Sequence, residues 1–447
     1  MPNIDDHLAC PSCGASFQGN HCNACGLTFP VIDEVPWFVA APDSIQFEWK
    51  NRWQMALAQL EAQHQKARSA LNGTASEAAR ERLSTLSDGY AAQQRALKLL
   101  LKSLGLIKPA ALETYQALKT RLPTQLGLTA YTANVFRDWC WGDAENAASL
   151  SALREALGDA APARVLVLGA GAGRLAWDLH NSLTEAATVA LELNPYLTTV
   201  LSEMAAGRSL TLMEFPLAPA SGAKAAVSRE LKAPGPTRPG FQVMLADAMR
   251  APFQAGSFDL VVTPWLLDVI DADTAAVCAE VNRLLAPGGR WLYHGSLAFQ
   301  RPDPAENLSL RELEELIAAT GFRRLRMLEV EQPYLDCPDS RHGRRESVLT
   351  LCAEKTDDIK VPAAEGNLPD WIAQTTVPIP ALPAFQQQAM ATRVHAFIMA
   401  LIDGERSLED MAAIMEAQQL MPKEEAQSAI RGFLIKMYDE AQSGQGL

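Results

Sequence analysis

The sequence predicts an α/β protein built on a doubly wound sheet, and three observations lead there. Between about 160 and 356, short apolar runs alternate with helical segments. The first of these runs, "VLVLGAGAGRLA" from Val165 to Ala176, reads as a strand, a glycine turn and a helix. The next two runs end on carboxylates, Glu192 and Asp247. Strand ends of this kind are where an open α/β sheet binds its ligand.

The composition fits a globular chain of roughly two to four domains. Of the 447 residues, 48% are apolar and 20% charged, which leaves ample material for a core. Apolar runs stay below the roughly 18 residues of a membrane span. The opening "MPNIDDHLACPSCG" has neither the basic nor the apolar region of a signal peptide, so a cytoplasmic location is expected. A net charge of -13 argues against a general nucleic-acid binder, which normally presents a basic face. One short basic run, "RHGRR" from Arg341 to Arg345, reads first as solvated surface.

Taken in order, residues 1–40 form a cysteine-rich module that ends in "LTFPVIDEVPWFV", a short β-like alternation. Residues 44–155 are helical in pattern. "QFEWKNRWQMALAQLEAQHQKARSALNG" is followed, after Thr74 and Ser76, by "EAARERLSTL" and "YAAQQRALKLLLKSLG", the last closing on a glycine. Within 156–357 the strands are "ARVLVLG", "TVALEL", "FQVMLAD", "FDLVVTPWLL", "RWLYHGSL", "RRLRMLEV" and "ESVLTLCA". The Pro-, Gly- and Ala-rich segment 216–240 reads as an insertion loop. "VPIPALPAF" is a linker to a final module over 380–447.

The glycine turn discriminates between cofactors. A dinucleotide fingerprint is G-x-G-x-x-G, its third glycine allowing helix and strand to pack closely. Here Gly169, Gly171 and Gly173 have the spacing G-x-G-x-G, and Arg174 stands in the third-glycine place. That spacing is typical of S-adenosylmethionine (SAM) enzymes, in which no phosphate needs the helix N-terminus. Glu192 can accept both ribose hydroxyls of SAM or of NAD, so it does not discriminate alone. Asp247 is placed for the exocyclic amine of adenine. With "SFDLVV" and the Pro-Gly-Gly turn of "RLLAPGGRWLY" following in order, the reading is a class I methyltransferase domain.

Over about 130–355 the chain also resembles the carnosine N-methyltransferase family. The resemblance rests on "FRDWCWGDAEN", "LGAGAGRLAWDL", "LADAM", "VVTPWLLDVI", "LLAPGGRWLYHGSLAF" and "CPDSRHGRRESVLTLCAEK". It implies that Asn134 and Arg137 reach the methionine end of SAM, where an arginine can hold the carboxylate bidentately. It implies that Gly169, Glu192 and Asp247 hold the rest of the cofactor beside the backbone of Pro264, and that Asp268 binds the acceptor. A carboxylate at the end of the fourth strand suits that task, since it can orient a nitrogen and take up its charge as the methyl arrives. Two acceptor contacts depart from the family. Gln300 stands for a histidine and Glu346 for a tyrosine. Carnosine is therefore not the expected acceptor. Asp268 with Glu346 suggests a cationic amine or a basic side chain, and the function expected is N-methylation of an amine- or imidazole-bearing peptide or small molecule. An RNA methyltransferase that grips its substrate with the N-terminal module is the alternative.

That module, "CPSCGASFQGNHCNACG", offers Cys10, Cys13, Cys22 and Cys25 as two C-x-x-C-G knuckles. Four thiolates suit tetrahedral Zn(II), with a redox pair or an iron site as alternatives. The module is similar to zinc ribbons fused to some ribosomal-RNA methyltransferases, and such a zinc is structural. Losing its ligands is expected to unfold mainly residues 1–40. The C-terminal module has a helix, an Asp-Gly turn and a second helix capped by Ser407 with Glu409 and Asp410 in its first turn. It is similar to the small winged-helix chaperones of modified-peptide pathways, which grip a leader peptide along a strand edge. Peptide binding and a structural or dimerising role both remain open for it.

Overall fold

The computed structural model describes residues 4–74, 76–105, 128–301, 303–359 and 378–443. The expected helical stretch at 106–127, Val377 of the linker and residues 444–447 lie outside the described residues. The chain divides into two units, Met1–Pro362 and Ala363–Leu447.

The first unit is organised by a seven-stranded sheet. In chain order its strands are β3 (Arg164–Leu168), β4 (Ala187–Glu192), β7 (Phe241–Leu245), β8 (Phe258–Pro264), β9 (Leu285–Gly295), β10 (Phe322–Tyr334) and β11 (Arg344–Lys355). They lie in the order β10-β11-β9-β8-β3-β4-β7. The five strands from β9 to β7 are parallel, while β11 pairs antiparallel with both β9 and β10. All seven strands read from the sequence are present. The order reverses at β3, between β8 and β4, which opens a crevice at the carboxyl ends of those strands.

Strands buried on both faces read as continuous apolar runs, and β3 is buried from Val165 to Leu168. Val165, Val167 and Ala190 face one layer. It contains α1 (Pro42–Gly73), α2 (Glu77–Leu100), α3 (Thr132–Phe136), α4 (Asp143–Leu157), α5 (Arg174–Ser182) and α6 (Pro195–Ala205). The expected helices "EAARERLSTL" and "YAAQQRALKLLLKSLG" are one element, α2, capped by Ser76 and followed by a 3-10 turn that ends at Gly105. Gly89 lies inside α2, and a Cβ there would stand 2.5 Å from that of Ala226, so glycine admits the neighbouring chain.

Leu166, Leu168, Val189 and Leu191 face the opposite layer, which has a different construction. Helices α7 (Thr274–Leu284) and α8 (Leu310–Ala319) cover part of it. The link from β7 to β8, residues 246–257, holds only the 3-10 turn Ala248–Arg250 and supplies no helix. The N-terminal module fills the gap. Phe17, Phe29 and Phe38 form a mutual aromatic cluster, with centroids 5.0–5.2 Å apart, in the same core as Leu166, Val189 and Met244. The hairpin of β1 (Val31–Ile32) and β2 (Val35–Pro36) turns at Asp33 and Glu34, both with positive φ. Beyond it, Trp37 bridges to Leu245 in parallel, and the Phe38 N–H donates to the Leu245 carbonyl at 2.9 Å. The module is thus an integral cover of the sheet. Its unfolding would expose the face of β3, β4 and β7, so an effect reaching beyond residues 1–40 is expected.

The insertion also differs from expectation. Within 216–240 lies β6 (Val227–Leu231), antiparallel to β5 (Leu210–Glu214). Arg229 of β6 pairs with buried Glu214 of β5 and with Asp339, and Lys224 reaches Asp339 as well. This network ties the hairpin to the loop before β11.

The second unit, in its described residues, holds three helices, α9 (Pro383–Ala400), α10 (Leu408–Ala417) and α11 (Lys423–Ser443). Ser407 and Asp410 form a reciprocal capping box at α10. Ile398, Leu401, Met411, Met415 and Ile430 make its core. The described residues of this unit include no strand, so the strand edge that the winged-helix resemblance implies is not among them.

Candidate active site

At the carboxyl ends of β3, β4 and β8 lies a cavity of about 550 Å³. Of the residues expected at the site, Asn134, Arg137, Gly169, Gly171, Glu192, Pro264, Asp268, Gln300 and Glu346 line it. Gly173 and Asp247 do not.

The glycine turn forms one wall. Gly169 (φ +67°) and Gly171 (φ +61°) are both left-handed, a conformation that side chains rarely adopt. A Cβ on Gly169 would stand 2.7 Å from Leu266, whereas the position above Gly171 is open. The open position is a cradle for a ligand, and it lies beside Glu192. The Glu192 carboxylate accepts the Gly171 N–H at 2.8 Å through one oxygen, and those of Leu193 and Asn194 through the other. Burial pushes its carboxyl up, while these backbone donors pull it down. The oxygen that faces Gly171 keeps a lone pair for a further donor.

Gly173 (φ +92°) has a different task. Its Cβ would fall 2.2 Å from Leu201, so it lets α5 pack on α6, much as the third glycine of a dinucleotide turn does. Asp247 lies two residues past the end of β7, and its side chain caps the turn that follows by accepting from Met249 at 2.9 Å.

The segment "RDWCW" is a single π-turn, Arg137–Trp141, that sits under the glycine turn. The Trp139 indole donates to the Ala172 carbonyl at 2.7 Å. Asp138 accepts from Arg137 at 2.7–2.8 Å and from the backbone N–H of Arg174 at 3.3 Å. Asp138 therefore couples the arginine to the first residue of α5. Arg174 in turn pairs with Asp143 and Asp178, which accounts for an arginine at that place.

The opposite wall comes from the ends of β8, β10 and β11. Trp265, just after β8, has φ +50°, a strained value for a bulky residue. Its N–H donates to the His294 carbonyl at 2.7 Å, and a Cβ on Gly295 would touch its backbone at 3.0 Å. Strain is held there by β9, and it turns the chain toward Asp268. The Trp265 ring packs on Tyr334, centroids 4.5 Å apart, and the guanidinium of Arg344 lies over the Tyr334 ring at 4.4 Å. Trp265, Tyr334 and Arg344 carry no sequence signal of their own. They meet only because β10 and β11 fold back antiparallel, Tyr334 opposite Arg344.

Arg344 changes the electrostatics expected here. Its Nε lies 3.0 Å from a Glu346 oxygen, so the Glu346 charge already has a partner. The rest of "RHGRR" is likewise engaged, Arg341 with the Ala220 carbonyl and Arg345 with Glu331. Asp268 stands apart. Its Oδ1 is buried with no hydrogen-bond partner among the described residues. Burial pushes its carboxyl up and the Glu346 charge adds to that, against a hydrogen bond from its own backbone N–H and the Arg301 charge. A buried carboxylate oxygen without a partner, on a residue that lines the cavity, is a site for a cationic or N–H-bearing group.

The cysteines form a second constellation. The Sγ atoms of Cys10, Cys13, Cys22 and Cys25 lie within 4.8 Å of one another. Cys10 and Cys25 are 3.7 Å apart, Cys13 and Cys22 3.6 Å. Tetrahedral zinc with Zn–S of about 2.3 Å sets sulfurs about 3.8 Å apart, so the four thiols fit that ion.

Residues 166–293 match the family model of a methyltransferase domain. The chain carries a methyltransferase domain. It spans β3 to β9, the strands that build the glycine turn, Glu192 and Asp268, and SAM is the cofactor that this fold implies. No curated protein sequence matches the chain. Among solved structures, an S-adenosylmethionine-dependent methyltransferase from Mesorhizobium loti is 16% identical over 46% of this chain and 96% of its own, with a TM-score of 0.31. A SAM-dependent methyltransferase from Methanosarcina mazei is 15% identical over 43% and 92%, with a TM-score of 0.31. No described helix is long and apolar enough to cross a membrane.

The state of Asp268 can be read from stability. A carboxyl held above its ordinary pKa keeps its proton better in the folded chain than in the unfolded one. Stability from this group is therefore lost as pH rises through the carboxylate range. Asp268→Asn removes the buried unpartnered charge. By urea unfolding at about pH 7.5 the variant should be more stable than wild type by about 1 kcal/mol, with the gap closing toward about pH 4. A wild type more stable than the variant at the higher pH would contradict an uncompensated carboxylate.

Proposed function

We propose that the protein transfers a methyl group from SAM to a nitrogen of an amine- or imidazole-bearing peptide or small molecule. The observation that carries this reading is the unpartnered Asp268 oxygen in the same cavity as the Gly171–Glu192 cradle. The cradle fits a nucleoside. Glu192 has acceptor capacity for ribose hydroxyls, and the space above Gly171 is free. Asn134 and Arg137, on the turn beneath the glycines, would hold the amino-acid end. Pro264 would contribute backbone beside the ligand, and Asp247, two residues past β7 and outside the cavity lining, is the candidate for the adenine amine.

When bound, SAM supplies a methyl on a sulfonium sulfur. The residues of the chain then have two tasks, placement and charge. Trp265 and Tyr334 wall the acceptor side and exclude water from it. Asp268 orients the nitrogen so that its lone pair faces the methyl, and its carboxylate stabilises the positive charge that builds on that nitrogen. In its raised state it can also take the proton that the nitrogen must shed. Gln300 adds neutral hydrogen bonds. Glu346, paired with Arg344, positions rather than charges the pocket, so Asp268 alone selects for a basic nitrogen.

For the N-terminal module we infer a structural zinc held by Cys10, Cys13, Cys22 and Cys25. The fit of the sulfur tetrahedron supports it, as does the burial of the module's aromatic cluster against the sheet. A surface spent on packing in this way speaks for a structural cover over an RNA grip. The purified chain should contain one zinc, and Cys10→Ser with Cys13→Ser should lose it. Hydrogen exchange should then show lost protection in β3, β4 and β7 as well as in residues 1–40. Loss confined to residues 1–40 would contradict an integral cover.

The reaction itself is tested with Asp268→Asn in a mass-spectrometric assay for SAM-dependent gain of 14 Da in small-molecule and peptide extracts. Turnover should fall by about 10²–10⁴-fold with SAM affinity unchanged. Full turnover in the variant, or RNA as the methylated fraction, would overturn the reading.

A further inference from the structure

A second cavity, of about 440 Å³, adjoins the first. Tyr334, Leu335 and Arg344 line both, so one wall of side chains separates them. Its other walls are parts of the chain that the methyl-transfer reading leaves unused. Helix α1 gives Ala56 and Leu60, α2 gives Leu97, and the inserted hairpin gives Phe215 and Leu217. Trp141 of the π-turn closes it toward the glycine turn.

The chamber is built, and several contacts fix its shape. Gly89 lets the insertion approach α2, and the Phe215 ring stacks on Tyr90 with centroids 4.6 Å apart. Gln93 of α2 accepts the Met213 N–H at 2.7 Å. The Trp141 indole donates to Glu214, whose charge is met by Arg229. Its other strongly charged lining residue, Arg344, is paired with Glu346. Its carboxylate and its guanidinium are thus both neutralised, and the remaining surface is largely apolar.

We propose that this chamber is the second subsite of the methyl acceptor and receives an apolar body attached to the reacting nitrogen. The proposal rests on the amine reading of Asp268 given above. The first cavity must hold the donor along Gly169–Glu192, which leaves its Asp268 end for the nitrogen and its nearest atoms. Among the described residues, a longer acceptor can continue past Tyr334 and Arg344 into this largely apolar chamber. Glu346 stands at that partition and, by holding Arg344, keeps the passage uncharged. The acceptor class is therefore an amine with an extended hydrocarbon or aromatic body.

Calorimetry on the full chain loaded with S-adenosylhomocysteine tests this with n-alkylamines from butylamine to octylamine. In wild type, affinity should rise by about fourfold per methylene once the chain enters the chamber. Ala56→Trp, which fills the chamber, and Leu217→Asp, which charges it at an exposed position, should flatten the rise. Both should leave butylamine and S-adenosylhomocysteine binding unchanged, and the second variant keeps the test valid if the first does not fold. A flat series in wild type, or one as steep in both variants, overturns the subsite. A steep series that the variants flatten, but with no methylated amine on replacing the analogue by SAM, upholds the chamber and overturns the amine reading instead.

Discussion

A parallel sheet is apolar on both faces, and each face must be covered. Between β7 and β8 this chain has no helix to do so. The cover is supplied from the other end of the sequence, by a module too small to have a core of its own. Phe17, Phe29 and Phe38 are then as much a part of the methyltransferase core as Leu166 and Val189. The four cysteines hold the loops that present those rings. His7 also reaches Arg164, which pairs with Asp259, at the amino ends of β3 and β8. The module covers that face and, through Trp37 and Phe38, borders the carboxyl end of β7, while the carboxyl ends of β3, β4 and β8 stay open around the cavity.

The layout of the site follows from that division. On the opposite face the π-turn Arg137–Trp141 lies directly below the glycine turn, joined to it by Trp139 and Asp138. The glycine-turn side of the cavity is consequently fixed by hydrogen bonds of short span. The wall opposite is fixed by strain and stacking, with Trp265 forced to positive φ against β9 and leaning on Tyr334. These walls come from different strands and can vary independently. Under the proposed reading, such independence would let one donor cradle serve many acceptors.

Much of this was legible in the sequence. The seven strands are continuous apolar runs or alternations, and the signals at Ser76, Ser407 and the glycine turn mark element ends by local chemistry. Nine of the residues expected at the site converge on one cavity, because motif positions at strand ends converge by topology. What was not legible depends on long-range pairing. Strand β6 hides in a Pro- and Gly-rich stretch and is secured by Arg229 meeting Glu214 across the hairpin. Gly173 reads as part of the cofactor turn, yet its missing Cβ makes room for Leu201. Glu346 reads as a free charge because Arg344, two residues earlier on the same face of β11, is indistinguishable from solvated surface until the strand is placed. Nothing in residues 1–40 says which surface their aromatic rings will meet.

The central claim is that the Gly171–Glu192 cradle holds the methyl donor. Isothermal titration of SAM into wild type and Glu192→Ala addresses it directly. Removing a carboxylate that takes charge-assisted hydrogen bonds should weaken binding by about tenfold to a hundredfold, with the fold intact by circular dichroism. Equal affinity in the two proteins, or no binding of SAM to wild type, would contradict it.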